Sequence, residues 1–129
     1  MNDLKINCQP NCGNSPKMAF LRDFNLAFAR GDVDFILDNV SEDIHWEVIG
    51  EGVIEGKEAF GKSIKEMAAF VPEEITIYQI VSHGKQGGLN GELIFPDGKL
   101  IAFCDMYEFV SAGKNLIRKM YSYAMNKGY

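Results

Sequence analysis

Everything after Pro72 in this chain is strand-like, and that long C-terminal stretch constrains the fold more than any other feature. Ile75–Val81, Leu89–Phe95, Leu100–Val110 and Leu116–Met125 are separated by the turn-forming runs Ser82–Gly88, Pro96-Asp97-Gly98-Lys99 and Ser111-Ala112-Gly113-Lys114. Strands joined by such short turns pair as an antiparallel meander, because a parallel crossover needs a dozen residues or more. A sheet of this kind must bury one face, and the covering elements must come from the first 72 residues.

Those residues supply helices and one strand. Ser15-Pro16 reads as an N-cap followed by proline at the first helical position. From Met18 the apolar residues recur at helical spacing, with Phe20, Leu21, Phe24, Ala27 and Phe28 on one face. Arg30-Gly31-Asp32 stops that helix and opens a short second one through Phe35-Ile36-Leu37. Ile44-His45-Trp46-Glu47-Val48-Ile49 alternates as a strand. Gly50, Gly52 and Gly56 mark a loop, and 57–70 reads as a third helix with Phe60, Ile64, Met67 and Ala68 on one face. The order is helix, helix, strand, helix, then four strands: an α+β layout with the helices on one face of a mostly antiparallel sheet. No internal repeat interrupts it.

With 129 residues, the chain is one domain: a flexible arm over 1–14 and a single α+β domain over 15–129. At 47% hydrophobic and 24% charged it has globular composition. The net charge of −5 and the lack of a basic stripe argue against nucleic acid. No apolar run nears the roughly 20 residues that span a bilayer, and the first residues lack a signal-peptide layout, so no membrane is expected and the location expected is cytoplasmic. Cys8, Cys12 and Cys104 are odd in number and sparse, which fits a reducing compartment better than a disulfide framework. Cys8 and Cys12 lack a second ligand pair, so no metal is expected.

One residue breaks the apolar pattern informatively. Ile101, Phe103, Asp105, Tyr107 and Phe109 share a strand face, so Asp105 sits among apolar and aromatic neighbours. Such a carboxylate is either a structural hydrogen-bond acceptor or an acid held neutral, able to donate to a ligand oxygen. The strand over 44–49 sends His45 and Glu47 to one face, and Ile44, Trp46 and Val48 to the other. Alternation leaves two arrangements open: the polar pair in water, or the polar pair lining a cavity with the apolar stripe packed on a second sheet or subunit. His83 reads as a loop histidine, and the glycines from Gly84 to Gly91 lack the Gly-Lys-Ser/Thr signature of a phosphate loop. Tyr121 and Tyr123 are assigned with Ile117 to packing, and Met120 and Ser122 to the opposite face.

Several of these segments together resemble the SnoaL-like branch of the nuclear transport factor 2-like superfamily. They are the helical pair ending in Arg30-Gly31-Asp32, the strand Asp43-Ile44-His45-Trp46-Glu47, and Gly52-Val53-Ile54-Glu55-Gly56-Lys57-Glu58-Ala59. Asp105-Met106-Tyr107-Glu108-Phe109 and Gly113-Lys114-Asn115-Leu116-Ile117 complete the set. The resemblance spans roughly residues 16–125. It implies a strongly curved sheet closed by three helices into a cone with an interior pocket, often dimerised through the sheet's outer face.

The resemblance also implies roles. Ketosteroid isomerases of this superfamily use a first-strand Asp as general base, and Glu47 stands at the matching place. They use a protonated late-strand Asp to stabilise an oxyanion, and Asp105 matches it. Their first-helix Tyr donor is replaced here by Phe24, a loss often worth about 10²–10³ in rate. His45, beside Glu47, is the substitute donor or base. Phe24, Phe103, Tyr107, Met120 and Ser122 are the expected ligand contacts. SnoaL-like cyclases and epoxide hydrolases share this plan without a cofactor, although the hydrolases' Asp-Arg-Asp set is not evident. Two functions follow as expectations. One is cofactor-independent acid/base chemistry of isomerase or cyclase type on a small, mostly apolar molecule. The other is a non-catalytic module that only binds such a molecule or assembles as a dimer. A homodimer through the stripe Ile44, Trp46 and Val48 is expected in either case.

Overall fold

The computed structural model describes residues 4–8 and 15–128. In chain order the elements are β1 (Lys5–Cys8), α1 (Pro16–Arg30), α2 (Val33–Asp38), β2 (Val40–Val48), β3 (Gly52–Glu55), α3 (Lys57–Met67), β4 (Glu74–His83), β5 (Gln86–Ile94), β6 (Leu100–Ser111) and β7 (Lys114–Asn126). The strands form one curved, unclosed sheet in the order β1-β4-β5-β6-β7-β2-β3. β4 to β7 are the antiparallel meander. β2 then joins the far edge of β7 in parallel.

The helices begin and end where local chemistry dictates. The Ser15 hydroxyl accepts from the Met18 amide at 3.2 Å, with Pro16 in the first turn, where a missing N–H is harmless. Gly31 ends α1 in the left-handed conformation (φ 71°), and a Cβ there would crowd Ala68 at 3.3 Å. The tight stop folds α2 back and directs the chain into β2. α1 packs on β4 and β5 while α3 packs on β2, so the helices fill the sheet's concave side. Leu21, Phe24, Trp46, Phe60, Phe109 and Met120 form the centre of the core there.

The structure departs from the sequence expectations in three places. Part of the expected arm is a strand: β1 lies parallel to β4, and Asn7 donates to Glu74 Oε2 at 2.6 Å and Thr76 Oγ1 at 3.1 Å. The rest of the 1–14 segment, with Cys12, lies outside the described residues apart from Leu4. The glycine loop contains β3, paired antiparallel to β2. Bulges also reset the face parity of two strands. β4 shifts between Ile77 and Gln79, and β7 inserts Arg118 opposite the Glu108–Phe109 step. Ile117 and Met120 therefore both point inward, and Tyr121 and Tyr123 do not share the face of Ile117.

Cys8 is disulfide-bonded while Cys104 is free, so the cysteines no longer argue for a reducing compartment. Among the described residues no helix is long and apolar enough to cross a membrane.

Candidate functional site

The concave face of the sheet and the helices enclose a cavity of about 580 Å³. Its walls are mostly apolar, with Phe28, Trp46, Leu93, Phe103 and Met120 among them. Pockets that hold small organic molecules have this size and this character, with a few polar groups to orient the ligand. Here the polar groups are concentrated around Asp105.

Asp105, on β6, lies opposite Ser122 on β7, and both line the cavity. Tyr107, two residues along the same face, points its hydroxyl at Asp105 Oδ2 at 3.3 Å. Behind Tyr107 lies Asn25 of α1, whose Nδ2 donates to the Leu21 carbonyl and to Tyr107 Oη, each at 2.9 Å. The carbonyl can only accept, so the Asn25 amide orientation is settled. On the other side, Trp46 Nε1 donates to Ser122 Oγ at 2.9 Å.

Direction follows from donor inventory. An indole N–H can only donate, so Ser122 Oγ accepts from Trp46 and turns its own proton toward Asp105. Tyr107 Oη accepts from Asn25 and likewise donates to Asp105. Two relays, Asn25–Tyr107 and Trp46–Ser122, converge on one carboxyl and favour its charged form. Burial opposes them and wins in part: desolvation raises the Asp105 pKa to about 6. Burial, with the Asp105 charge next, holds the Tyr107 phenol well above its usual value, so it stays a neutral donor.

The raised pKa is the direction expected for an acid on an apolar strand face. In its charged form, favoured above about pH 6, Asp105 receives two hydroxyl protons. The donors beside it are already committed, and what Asp105 offers a ligand is an acceptor or a base.

The expected partner base is not in the cavity. Trp46 and Val48 line it, so His45 and Glu47 project from the opposite, convex face of β2. Glu47 pairs there with Tyr121 and Val53, and His45 Nδ1 is bonded to Glu55 Oε1. Neither Glu47 nor His45 meets Asp105. The same parity overturns the expected dimer stripe: Ile44 is 0% and Trp46 4% exposed, both inside the core.

Of the expected ligand contacts, Phe103, Met120 and Ser122 line the cavity. Tyr107 stands behind Asp105 as its donor. Phe24 is buried between Phe28 and Tyr107, with ring centroids at 5.3 and 6.0 Å, and does not line the cavity. Sequence reasoning missed Asn25 and the indole N–H of Trp46. Both carried a signal: Asn25 is a polar residue four positions after Leu21 on the buried stripe of α1. A buried tryptophan needs a partner for its N–H. Among the described residues no three His, Cys, Asp or Glu side chains are grouped to hold a metal ion.

Solved structures identify the architecture. An NTF2-like protein of unknown function from Burkholderia xenovorans superposes with a TM-score of 0.72 at 16% identity, covering 88% of this chain and 85% of its own. Another, from Cytophaga hutchinsonii, gives 0.60 at 23% identity, covering 83% and 97%. The fold is NTF2-like. The epoxide hydrolase/cyclase-like enzyme SalBIII, which has a role in pyran ring formation in the polyether salinomycin, shares the fold with a TM-score of 0.63 at 18% identity, covering 85% and 91%. No family model matches the sequence, and neither does any curated protein. An NTF2-like cone serves as a scaffold, and its use is decided by the groups inside it. Inside this one stand Asp105 and its two relays.

Proposed function

We propose that this chain binds a small, mostly apolar molecule in the cone and orients it by a hydrogen bond donated from the ligand to Asp105. The observation that carries this reading is the carboxylate at the wall of an apolar cavity, with both flanking hydroxyls already turned toward it. A ligand group that donates completes the arrangement, whereas one that only accepts finds no free donor beside Asp105.

Screening thermal stability against steroids, aromatic polyketide-like compounds and terpenoid epoxides tests it. Binding to the native state must raise the melting temperature. At least one compound with a hydroxyl should do so in the unaltered protein and lose its effect in Asp105→Ala. A screen in which every compound is inert, or in which Asp105→Ala responds equally, overturns the reading.

The raised pKa of Asp105 favours a second reading, cofactor-independent proton abstraction of isomerase or cyclase type. A base near neutrality suits removal of a carbon proton next to a carbonyl, and SalBIII offers an enzyme of cyclase-like character on the same fold. Incubation of a bound ketone in heavy water reads it directly. Deuterium should enter next to the carbonyl at a rate that climbs through pH 6 and is lost in Asp105→Asn; no exchange at any pH removes catalysis and leaves binding.

For assembly, we propose a homodimer through the convex face of the sheet, with Met106, Tyr121 and Tyr123 at its centre instead of the buried stripe on β2.

A further inference from the structure

The charged groups lining the cavity are all of one sign. Asp105 stands inside, and Glu51, from the turn between β2 and β3, and Glu66, from the last turn of α3, stand at the mouth. Among the described residues no lysine, arginine or histidine lines the cavity, and none of the three acids is in an ion pair. Beside Glu51 and Glu66 the mouth also carries Met67 and Phe70, the latter 78% exposed. An apolar entrance flanked by two carboxylates leads to a third carboxylate in low-dielectric surroundings.

Walls of low dielectric focus the field of such charges along the cavity. The field repels anions, admits neutral molecules and favours cations. Asp105 adds a local reason. A desolvated carboxylate without a cationic partner is stabilised more by a positive charge than by a neutral donor. Its existing partners, the Ser122 and Tyr107 hydroxyls, hold it in place and supply no charge.

Resting on the cavity reading above, we propose that the ligand is a cation: an apolar molecule carrying a protonated amine, whose ammonium pairs with Asp105 and whose hydrocarbon fills the pocket between Trp46, Phe103 and Met120. Glu51 and Glu66 act at the mouth, raising the local concentration of cations and excluding carboxylates of the same shape. An amine meets the hydrogen-bond requirement of Asp105 as well, since ammonium groups only donate.

Two matched triads separate charge from shape: 1-adamantylamine, 1-adamantanol and 1-adamantanecarboxylate, and 4-phenylbutylamine, 4-phenylbutanol and 4-phenylbutyrate. Titration calorimetry on the full chain at pH 7.5 should rank amine above alcohol by about tenfold or more, with the carboxylate weakest. The amine advantage should disappear in Asp105→Asn. In the unaltered protein it should shrink below pH 6, as Asp105 takes up a proton, a readout that does not depend on the variant folding. Glu51→Gln with Glu66→Gln, both exposed, should narrow the gap between amine and carboxylate, chiefly at low salt.

An alcohol that binds as tightly as its amine overturns the cation and leaves the apolar cavity standing. A carboxylate that binds tightest overturns it too. If neither triad binds at millimolar concentration, both this inference and the cavity reading fail. An amine preference that survives in Asp105→Asn and at low pH removes Asp105 as the pairing group and overturns the proposal.

Discussion

Asp105 is destabilised by its own position, and the sign of that effect is measurable. Its folded pKa of about 6 stands above the ordinary value of 3.8. Below pH 3.8 the carboxyl is protonated in both folded and unfolded chains, and burial carries no charge penalty. As pH rises the unfolded chain ionises first, and the penalty grows until it saturates above pH 6. For a shift of this size it amounts to roughly 3 kcal/mol. Asp105→Asn should therefore gain stability relative to the unaltered protein between pH 4.5 and pH 7.5 in urea unfolding. A stability difference that stays flat over that range would show that Asp105 is not desolvated. The two relays predict a further ordering. The Ser122 hydroxyl lowers the Asp105 pKa more than the Tyr107 hydroxyl does, in keeping with the long 3.3 Å contact from Tyr107. Ser122→Ala should raise the pKa measured by carboxyl NMR more than Tyr107→Phe; the reverse order would place the main donor on the Asn25 side. Asp105 itself was legible in the sequence because it interrupts an apolar face. Its charge state was not, because that depends on which way two distant hydroxyls point, and Trp46 and Asn25 settle this from other elements.

At the level of elements, β2 begins at Val40, four residues ahead of the Ile44 start that alternation indicates, and its pattern leaves the face undecided. Alternation in β2 shows that His45 and Glu47 oppose Ile44, Trp46 and Val48, and it carries no information about which set is wet. The helices decide it, since Phe28 of α1 and Phe60 of α3 meet the Trp46 ring at 6.1 and 5.4 Å and draw that side inward. The bulges were illegible for a related reason: an extra residue in one strand is defined by its partner's register, which no local pattern records. β1 and β3, of four residues each, are too short to display a period. One position ties strand geometry to the cavity wall. Gly91 of β5 faces inward between β4 and β6, and a Cβ there would collide with the Thr76 carbonyl and meet the Phe103 ring at 3.0 Å. The carbonyl belongs to the backbone and cannot turn aside as a side chain would. Gly91→Ala should destabilise the protein by about 1–3 kcal/mol and push Phe103 into the cavity. Denaturant unfolding within 0.5 kcal/mol of the unaltered protein would mean that the sheet opens there without strain.

Across the whole molecule, the α+β order and the meander were legible because turn chemistry and periodicity act locally, while the closing partnership of β2 with β7 joins segments far apart in sequence. That same topology creates the convex face. The register aligns Val81, Gly88, Met106 and Tyr121 in a row across four strands, and Cys104 and Tyr123 lie beside it. Val81 is 60% and Met125 76% exposed, with Met106 and Tyr123 also open to solvent. The Met106 side chain lies over Gly88 in that row, where a Cβ would meet its Sδ at 2.8 Å. A contiguous apolar surface on the outside of a sheet is what monomers avoid, and two copies that meet face to face bury it symmetrically. Sedimentation equilibrium should accordingly find a dimer at micromolar concentration. Met106→Glu places two added carboxylates near the symmetry axis of a chain that already carries a net charge of −5. It should weaken the dimer at least tenfold, or ~1.4 kcal/mol, without disturbing the fold, because the side chain is already exposed. An unaltered protein that sediments as a monomer at that concentration would sink the dimer, and one that stays dimeric after Met106→Glu would move the interface off this face.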